Sequence, residues 1–213
     1  AQQLADLSMG MVEALSTAIE FRSDESGEHV RRIRDITCHL LRSTPLGQDI
    51  SEDQIRLIGV GAITHDVGKI SIPDAILNKR GRLSPEDYAL MKSYTVKGAE
   101  LLSKIPQMRE HSSYRYAYDI ALHHHERWDG GGYPDGLSGD QIPIWTQIVS
   151  LADVYDALVS KRCYKDAFSP DVAMDMISSG QCGVFNPKLL DCFRQEEPLL
   201  RRFYHTEGAN RNG

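Results

Sequence analysis

Apolar residues in this chain recur at three- and four-residue intervals while strand-like alternation is nearly absent, and that spacing restricts it to a helical fold. In "LADLSMGMVEALSTAIEF" the residues Leu4, Leu7, Met11, Leu15, Ala18 and Ile19 carry the pattern. Helix starts are marked independently. Ser51 with Gln54 reads as a capping box, and "SPED" at 84, "SPDV" at 169 and "NPKL" at 186 each set proline at the first helical position behind a capping residue. Together these signals predict helices at about 4–22, 28–43, 52–68, 85–104, 115–126, 145–160, 170–179 and 187–203. The expected fold is all-α. Glycine and proline collect in "LNKRGRLSP" and "WDGGGYPDGLSGDQIP", which read as loops. Residues 1–205 read as one domain and 206–213 as a disordered tail.

With 213 residues, 41% of them hydrophobic, the chain can bury one sizeable core. A formal net charge of −6 argues against a broad basic surface for long nucleic acid, but leaves room for a small anion held by a local cluster of Lys and Arg. No apolar run reaches the roughly 20 residues that a membrane helix needs, and "AQQLADLSMG" lacks the order of a secretory signal. The expectation is a soluble, cytoplasmic chain with no membrane insertion in this segment, and the start at Ala1 leaves upstream domains open. Cys38, Cys163, Cys182 and Cys192 form no C-x-x-C pair and read as reduced, packing thiols.

The residues suited to chemistry begin with "THDVGK", 64–69, at the end of the apolar helix "IRLIGVGAIT". On a continuous helix His65 and Asp66 would point about 100° apart, toward two neighbouring ions or two sides of one, and Lys69 would return to the face of His65. A lone pair of this kind is more often an ordinary hydrogen-bonding couple than a metal site. More ligand types follow, however. "DESGEHVRR" offers Glu25 and His29 four residues apart, and "LHHHE" adds His123, His124 and His125. "VSLADVYDAL" sets Asp153 inside an apolar run, where an unpaired carboxylate is costly to bury and a metal would offset the cost. A salt bridge or cap for Asp153, and a solvated helix face for Glu25, are the plain alternatives for each residue taken singly.

In order along the chain, "RSDESGEHVRR", "HDVGKISIPDAILNKRGRLSPED", "HHERWDGGGYPDGLSGDQIP", "ADVYDALVSKRCYKDA" and "GVFNP" resemble the HD-GYP phosphodiesterases, within the HD superfamily of metal-dependent phosphohydrolases. The likeness runs from about residue 13 to about residue 190, and its long second and third blocks make it specific. It implies an HD-domain helical bundle with additional C-terminal helices. It also implies hydrolysis of a cyclic dinucleotide, chiefly cyclic di-GMP, to the linear form or to GMP, at two or three divalent metal ions, iron or manganese. Matched by position, the metal ligands would be His29, His65, Asp66, His124, His125 and Asp153, with Glu25 completing a third site in some members. Asp66 would bridge two ions. Lys69 matches a lysine that contacts the scissile phosphate, and Arg162 and Lys165 match phosphate-binding positions. The start at Ala1 leaves an upstream sensor or receiver domain open, and the apolar first helix, if extended, would serve a homodimer, although one amphipathic helix more often packs on its own core.

The three glycines before Tyr133 and Pro134 allow turns and close approaches closed to other residues. Tyr133 is expected either to hydrogen-bond substrate or to pack under the metal site, with a bracing role for the loop equally open; Trp128 is read as a core residue. One position departs from the family. In "LMKSYTVKGAELL", Met91 and Gly98 are in place, but Tyr94 stands where a ligand histidine is usual. Neutral imidazole binds divalent metals readily, whereas a phenol must first lose a proton. Three outcomes are open: metals retained with Tyr94 or water in the gap, a single weakly held metal, or a domain that works by binding alone. His123 has no matched role and reads as a neighbour that packs or hydrogen-bonds. Ser23, Ser26, Cys163 and Asn186 depart from the usual residues at positions that are not ligands.

Overall fold

The helices begin where the capping residues stand. Ser51 Oγ accepts from Gln54 N at 3.3 Å while Gln54 Oε1 accepts from Ser51 N at 2.9 Å. Ser84, Ser169 and Asn186 accept from the backbone of Asp87, Val172 and Lys188 in the same way. The computed structural model describes residues 2–23, 27–160 and 166–205. Its α-helices are α1 (Gln2–Glu20), α2 (Glu28–Ser43), α3 (Glu52–Ile63), α4 (Asp74–Leu77), α5 (Pro85–Lys92), α6 (Tyr94–Lys104), α7 (Pro106–Glu110), α8 (Tyr114–His123), α9 (Ile144–Val159), α10 (Pro170–Ser178), α11 (Pro187–Leu200) and α12 (Arg202–His205). Among the described residues there is no β-sheet, and one isolated bridge, Asp129 to Ser138, ties the ends of the glycine loop. The all-α expectation holds. No helix among the described residues is long and apolar enough to cross a membrane.

Four predicted helices are interrupted: the one expected over 187–203 breaks at Arg201, between α11 and α12, and the other three have local side-chain causes. The helix expected over 52–68 stops at Ile63, so His65 and Asp66 lie in a turn ahead of a 3-10 segment, Val67–Ser71. Thr64 Oγ1 donates to Gly61 O at 2.9 Å and His65 Nδ1 donates to Ala62 O at 2.8 Å, taking up two carbonyls that a continuing helix would have used. The helical face that would have aligned Lys69 with His65 therefore does not exist. The helix expected over 85–104 breaks at Ser93, whose Oγ donates to Leu90 O at 2.6 Å. The one expected over 115–126 ends at His123, because the His124 ring folds back onto Ile120 O at 2.8 Å.

Ile33, Ile36 and Leu40 of α2, Ile58 of α3, Ile120 of α8 and Ile148, Leu151 and Tyr155 of α9 are fully buried in one cluster. Each such side chain contributes about 1.5–3 kcal/mol through loss of apolar surface to water. Packing these helices together brings the start of α2, the turn after α3, the end of α8 and the middle of α9 to one place. Helix α6 is fastened to the turn after α3 at glycines. A side chain on Gly68 would overlap the carbonyl oxygen of Tyr94 and come within 2.6 Å of Gly98 N. That close approach sets Tyr94 against the same place.

Candidate metal centre

Four nitrogen and oxygen atoms from three segments converge there. His29 Nε2 lies 3.4 Å from His65 Nε2 and 3.6 Å from Asp153 Oδ1, and His65 Nε2 lies 3.2 Å from Asp66 Oδ2. Metal bonds of about 2.1 Å at angles of about 90–110° place neighbouring ligand atoms about 3.0–3.4 Å apart, so the spacing suits one ion. His29, His65 and Asp66 are all buried. On the far side of the carboxylate, Asp66 Oδ1 is buried, 3.5 Å from His124 Nε2, with no hydrogen-bond partner among the described residues. An orphaned buried carboxylate oxygen facing an imidazole is what a cation between them would satisfy.

The rings are oriented from behind. His29 Nδ1 donates to Asp156 Oδ2 at 2.8 Å, His65 Nδ1 to Ala62 O and His124 Nδ1 to Ile120 O, each at 2.8 Å. Every one of these bonds turns an Nε2 inward, which is how metal-binding imidazoles are generally held. Asp156 also receives Arg32 Nε at 2.6 Å and is fully buried. Burial opposes its charge, yet His29 and Arg32 outweigh it and hold the carboxyl well below the usual range. Asp156 is invisible to a search for ligands, although a second acid three residues after Asp153, in the same apolar run, was the available signal.

Charge within the site is balanced internally. Burial disfavours the charged form of His65, but Asp66 overcomes this and, with Asp153 and Glu20, raises the ring to about 10. Asp66 in turn is held well below the carboxylate range, against its burial, by Lys69 and His65. Lys69 Nζ stands 2.6 Å from Asp66 Oδ2 and 3.7 Å from Glu20 Oε2. Glu20, buried at the end of α1, is a further acid of the site that ligand spacing did not single out.

Tyr94 enters from α6. Its hydroxyl lies 2.8 Å from His124 Nε2 and 2.6 Å from His125 Nε2. Burial, together with Asp66, pushes the phenol well above its ordinary value. Burial and His124 push His125 well below its own, keeping the ring neutral. On its other face His125 stacks on Tyr133, with ring centroids 4.8 Å apart and planes 20° from parallel. Tyr133 thus sits against the site, as one of the two expectations for it had it.

The glycine loop is anchored by Glu126, a residue the ligand pattern passed over. Its Oε1 accepts from Asp135 N at 2.7 Å and Gly136 N at 3.1 Å, and Oε2 from Leu137 N at 3.0 Å. At Gly132 a side chain would collide with the backbone of His125, Glu126 and Arg127, so the loop folds directly onto the histidines. His123 Nε2 pairs with Asp135 Oδ2 at 3.0 Å, the neighbour's role expected of it. His29, His65 and Asp66 form one group whose ligand atoms are close enough for an ion, and His123, Glu126 and Asp135 form another. In the second, the Glu126 oxygens are already engaged with backbone N–H groups, so it reads as the loop's fastening. Glu25, Arg162 and Lys165 lie outside the described residues.

A family model described as an HD domain matches residues 13–189, a span that contains the turn, the paired histidines and Asp153. The chain belongs to the HD domain family. Its glycine loop and paired histidines make it an HD domain of the HD-GYP type. It is 36% identical over 209 residues to a probable cyclic di-GMP phosphodiesterase of Vibrio cholerae, covering 93% of this chain and 47% of the relative. It is 37% identical over 188 residues to a 3'3'-cGAMP-specific phosphodiesterase 2 of the same organism, covering 88% and 34%. The HD domain therefore spans less than half the length of these two relatives. In fold it is similar to the crystal structure of a cyclic GMP-AMP specific phosphodiesterase of V. cholerae, with a TM-score of 0.64 at 18% identity, covering 92% of this chain and 53% of that one.

Proposed function

We propose that this domain is a metal-dependent phosphodiesterase that hydrolyses a cyclic dinucleotide, with cyclic di-GMP as the first candidate and linear pGpG or GMP as the product. The observation that carries the reading is the buried Asp66, flanked by imidazole nitrogens on both sides and holding one unsatisfied oxygen. His29, His65, Asp66 and Asp153 would hold one divalent ion, and Asp66 Oδ1 with His124 and His125 a second, with iron or manganese the expected metals. Glu25 is proposed as an additional ligand on the resemblance alone. Such ions supply a nucleophile at neutral pH and neutralise charge on the phosphate.

The chain's own residues do the rest. Lys69 shares Asp66 Oδ2 with the proposed ion position, so ligand binding there frees its ammonium to pair with a phosphate oxygen. Arg162 and Lys165 are proposed as further phosphate contacts. Tyr133 closes the histidine side by stacking on His125 and offers its hydroxyl to substrate. The two relatives named above are named for different cyclic dinucleotides, which supports a cyclic dinucleotide as the substrate class. An upstream sensor or receiver domain and a homodimer through the first helix are proposed as partners.

Incubation with cyclic di-GMP and with 3'3'-cGAMP, each with Mn²⁺ or Fe²⁺ under reducing conditions and followed by chromatography, tests the reading. Linear product that disappears in Asp66→Ala supports it. No linear product from either nucleotide overturns it. Tight nucleotide binding without turnover would favour a second reading, a domain that works by binding, for which the Tyr94 hydroxyl against both histidines is the supporting observation.

A further inference from the structure

We propose that Tyr94 makes the two halves of this centre unequal: one ion binds tightly at His29, His65, Asp66 and Asp153, and a second binds only by displacing the Tyr94 hydroxyl from His124 and His125. The inference rests on the metal-dependent reading above and assigns a specific role to the residue in which this chain departs from its family.

Lone pairs limit what the histidine side can bind. His124 Nδ1 is committed as a donor to Ile120 O at 2.8 Å, so Nε2 carries the ring's only lone pair. The Tyr94 hydroxyl, 2.8 Å away, has one proton and donates it there. Its oxygen then accepts from His125 Nε2–H at 2.6 Å. The chain His125 to Tyr94 to His124 is satisfied at every member, and it consumes both inward-facing nitrogens on that side.

Distances separate a cap from a ligand. Ligand atoms sharing an ion stand about 3.0–3.4 Å apart when metal bonds are about 2.1 Å. The separations of 3.2 and 3.4 Å among His29, His65 and Asp66 meet that requirement, and Asp153 Oδ1, 3.6 Å from His29 Nε2, stands about 0.2 Å beyond it. The 2.6 and 2.8 Å separations around Tyr94 are hydrogen-bond lengths and too short for it. Tyr94 has little freedom to withdraw. It is 5% exposed, and its backbone is pressed against Gly68 at the turn that carries Asp66. His29, by contrast, is held with its Nε2 turned inward by Asp156.

Equilibrium dialysis of metal-stripped protein against a series of free Mn²⁺ concentrations, with bound metal counted by elemental analysis, tests this on wild type, Tyr94→Phe and Tyr94→His. Thermal denaturation checks that each variant folds. Wild type should take up one ion at low Mn²⁺ and the second only at a concentration about tenfold or more higher. Tyr94→Phe removes the cap and Tyr94→His restores a ligand; both should move the second event to lower Mn²⁺ by about tenfold or more, leaving the first unchanged. Two ions of equal affinity in wild type would overturn the proposal. So would a weaker second event in Tyr94→Phe, which would make Tyr94 a ligand. If neither wild type nor Tyr94→His binds Mn²⁺, the metal-dependent reading fails and takes this inference with it. If the binding pattern is as expected but no variant cleaves either cyclic dinucleotide, the inference stands and the phosphodiesterase reading fails.

Discussion

Replacing Asp156 by asparagine should weaken the tight ion without touching a ligand. The Arg32 guanidinium carries only donors and meets both oxygens, Nε 2.6 Å from Oδ1 and Nη2 3.2 Å from Oδ2, so the amide oxygen of the new side chain takes the shorter contact, at the position of Oδ1, and the longer one is lost. The amide nitrogen then occupies the place of Oδ2, 2.8 Å from His29 Nδ1, and presents a proton where His29 now donates one. His29 must move its own proton to Nε2, the atom that faces His65 and Asp153, and it ceases to be a ligand in that tautomer. Loss of a supporting partner of this type costs about 10–100-fold in metal affinity, which is about 1.4–2.7 kcal/mol. Asp156→Ala is the harsher change. It leaves the Arg32 charge buried without its carboxylate, since both side chains are nearly inaccessible, and removing one member of such a pair costs about 3–5 kcal/mol. Calorimetric titration of the metal-stripped proteins with Mn²⁺, alongside thermal unfolding, separates the two effects. Both variants take the carboxylate from buried Arg32 and should fall in melting temperature, Asp156→Ala by about 6–20 °C and Asp156→Asn by less because it keeps an acceptor for Arg32 Nε, while Asp156→Asn should also bind the first ion more weakly. Wild-type affinity for the first ion in Asp156→Asn would refute the tautomer argument.

Other consequences can be checked separately. Glu126→Ala leaves three part-buried backbone donors of the loop without their carboxylate; it should cost about 1–3 kcal/mol and expose residues 129–138 to limited proteolysis, and unchanged protection would show that the loop is held elsewhere. Gly132→Ala forces the loop backbone off His125, Glu126 and Arg127 at a cost of about 1–3 kcal/mol; the His125 ring resonances should lose the shift produced by stacked Tyr133, and an unchanged spectrum would contradict the contact. In metal-free protein His65 is raised to about 10, from an unfolded value of about 6.5. Its charge with Asp66 therefore stabilises the fold fully below about pH 6.5, and that contribution is lost as pH rises through about 10. The melting temperature of stripped protein should fall over that window, more steeply than in His65→Gln, and equal slopes would assign the dependence to other groups.

Much of the architecture was legible because it depends on neighbours in the chain. Helix starts are set by a capping side chain reaching two or three residues ahead, and Ser51, Ser84, Ser169 and Asn186 each make that bond. Helix ends were less legible. The stops at Ile63 and His123 are made where His65 and His124 turn their rings back onto backbone carbonyls, and nothing in the apolar period announces that a ring will do so. The same difficulty hid Glu126 and Asp156. Both are acids whose value lies in holding something else, a loop in one case and a ring in the other, and such partners become visible only once distant segments meet.

The sequence alone determined that this chain is helical, where its longer helices start, and which residue types suited to ligation it carries, because spacing, capping and side-chain type act locally. Tertiary structure decided how those ligands are used. Whether His124 and His125 turn their inward nitrogens to an ion or to a hydroxyl depends on where α6 lies against the turn after α3, and Gly68 sets that distance by letting the Tyr94 backbone into contact. A tyrosine in place of a histidine reads in one dimension as a missing ligand. In three dimensions it is a hydroxyl placed between the two that remain, because close packing puts its oxygen within hydrogen-bonding reach of both.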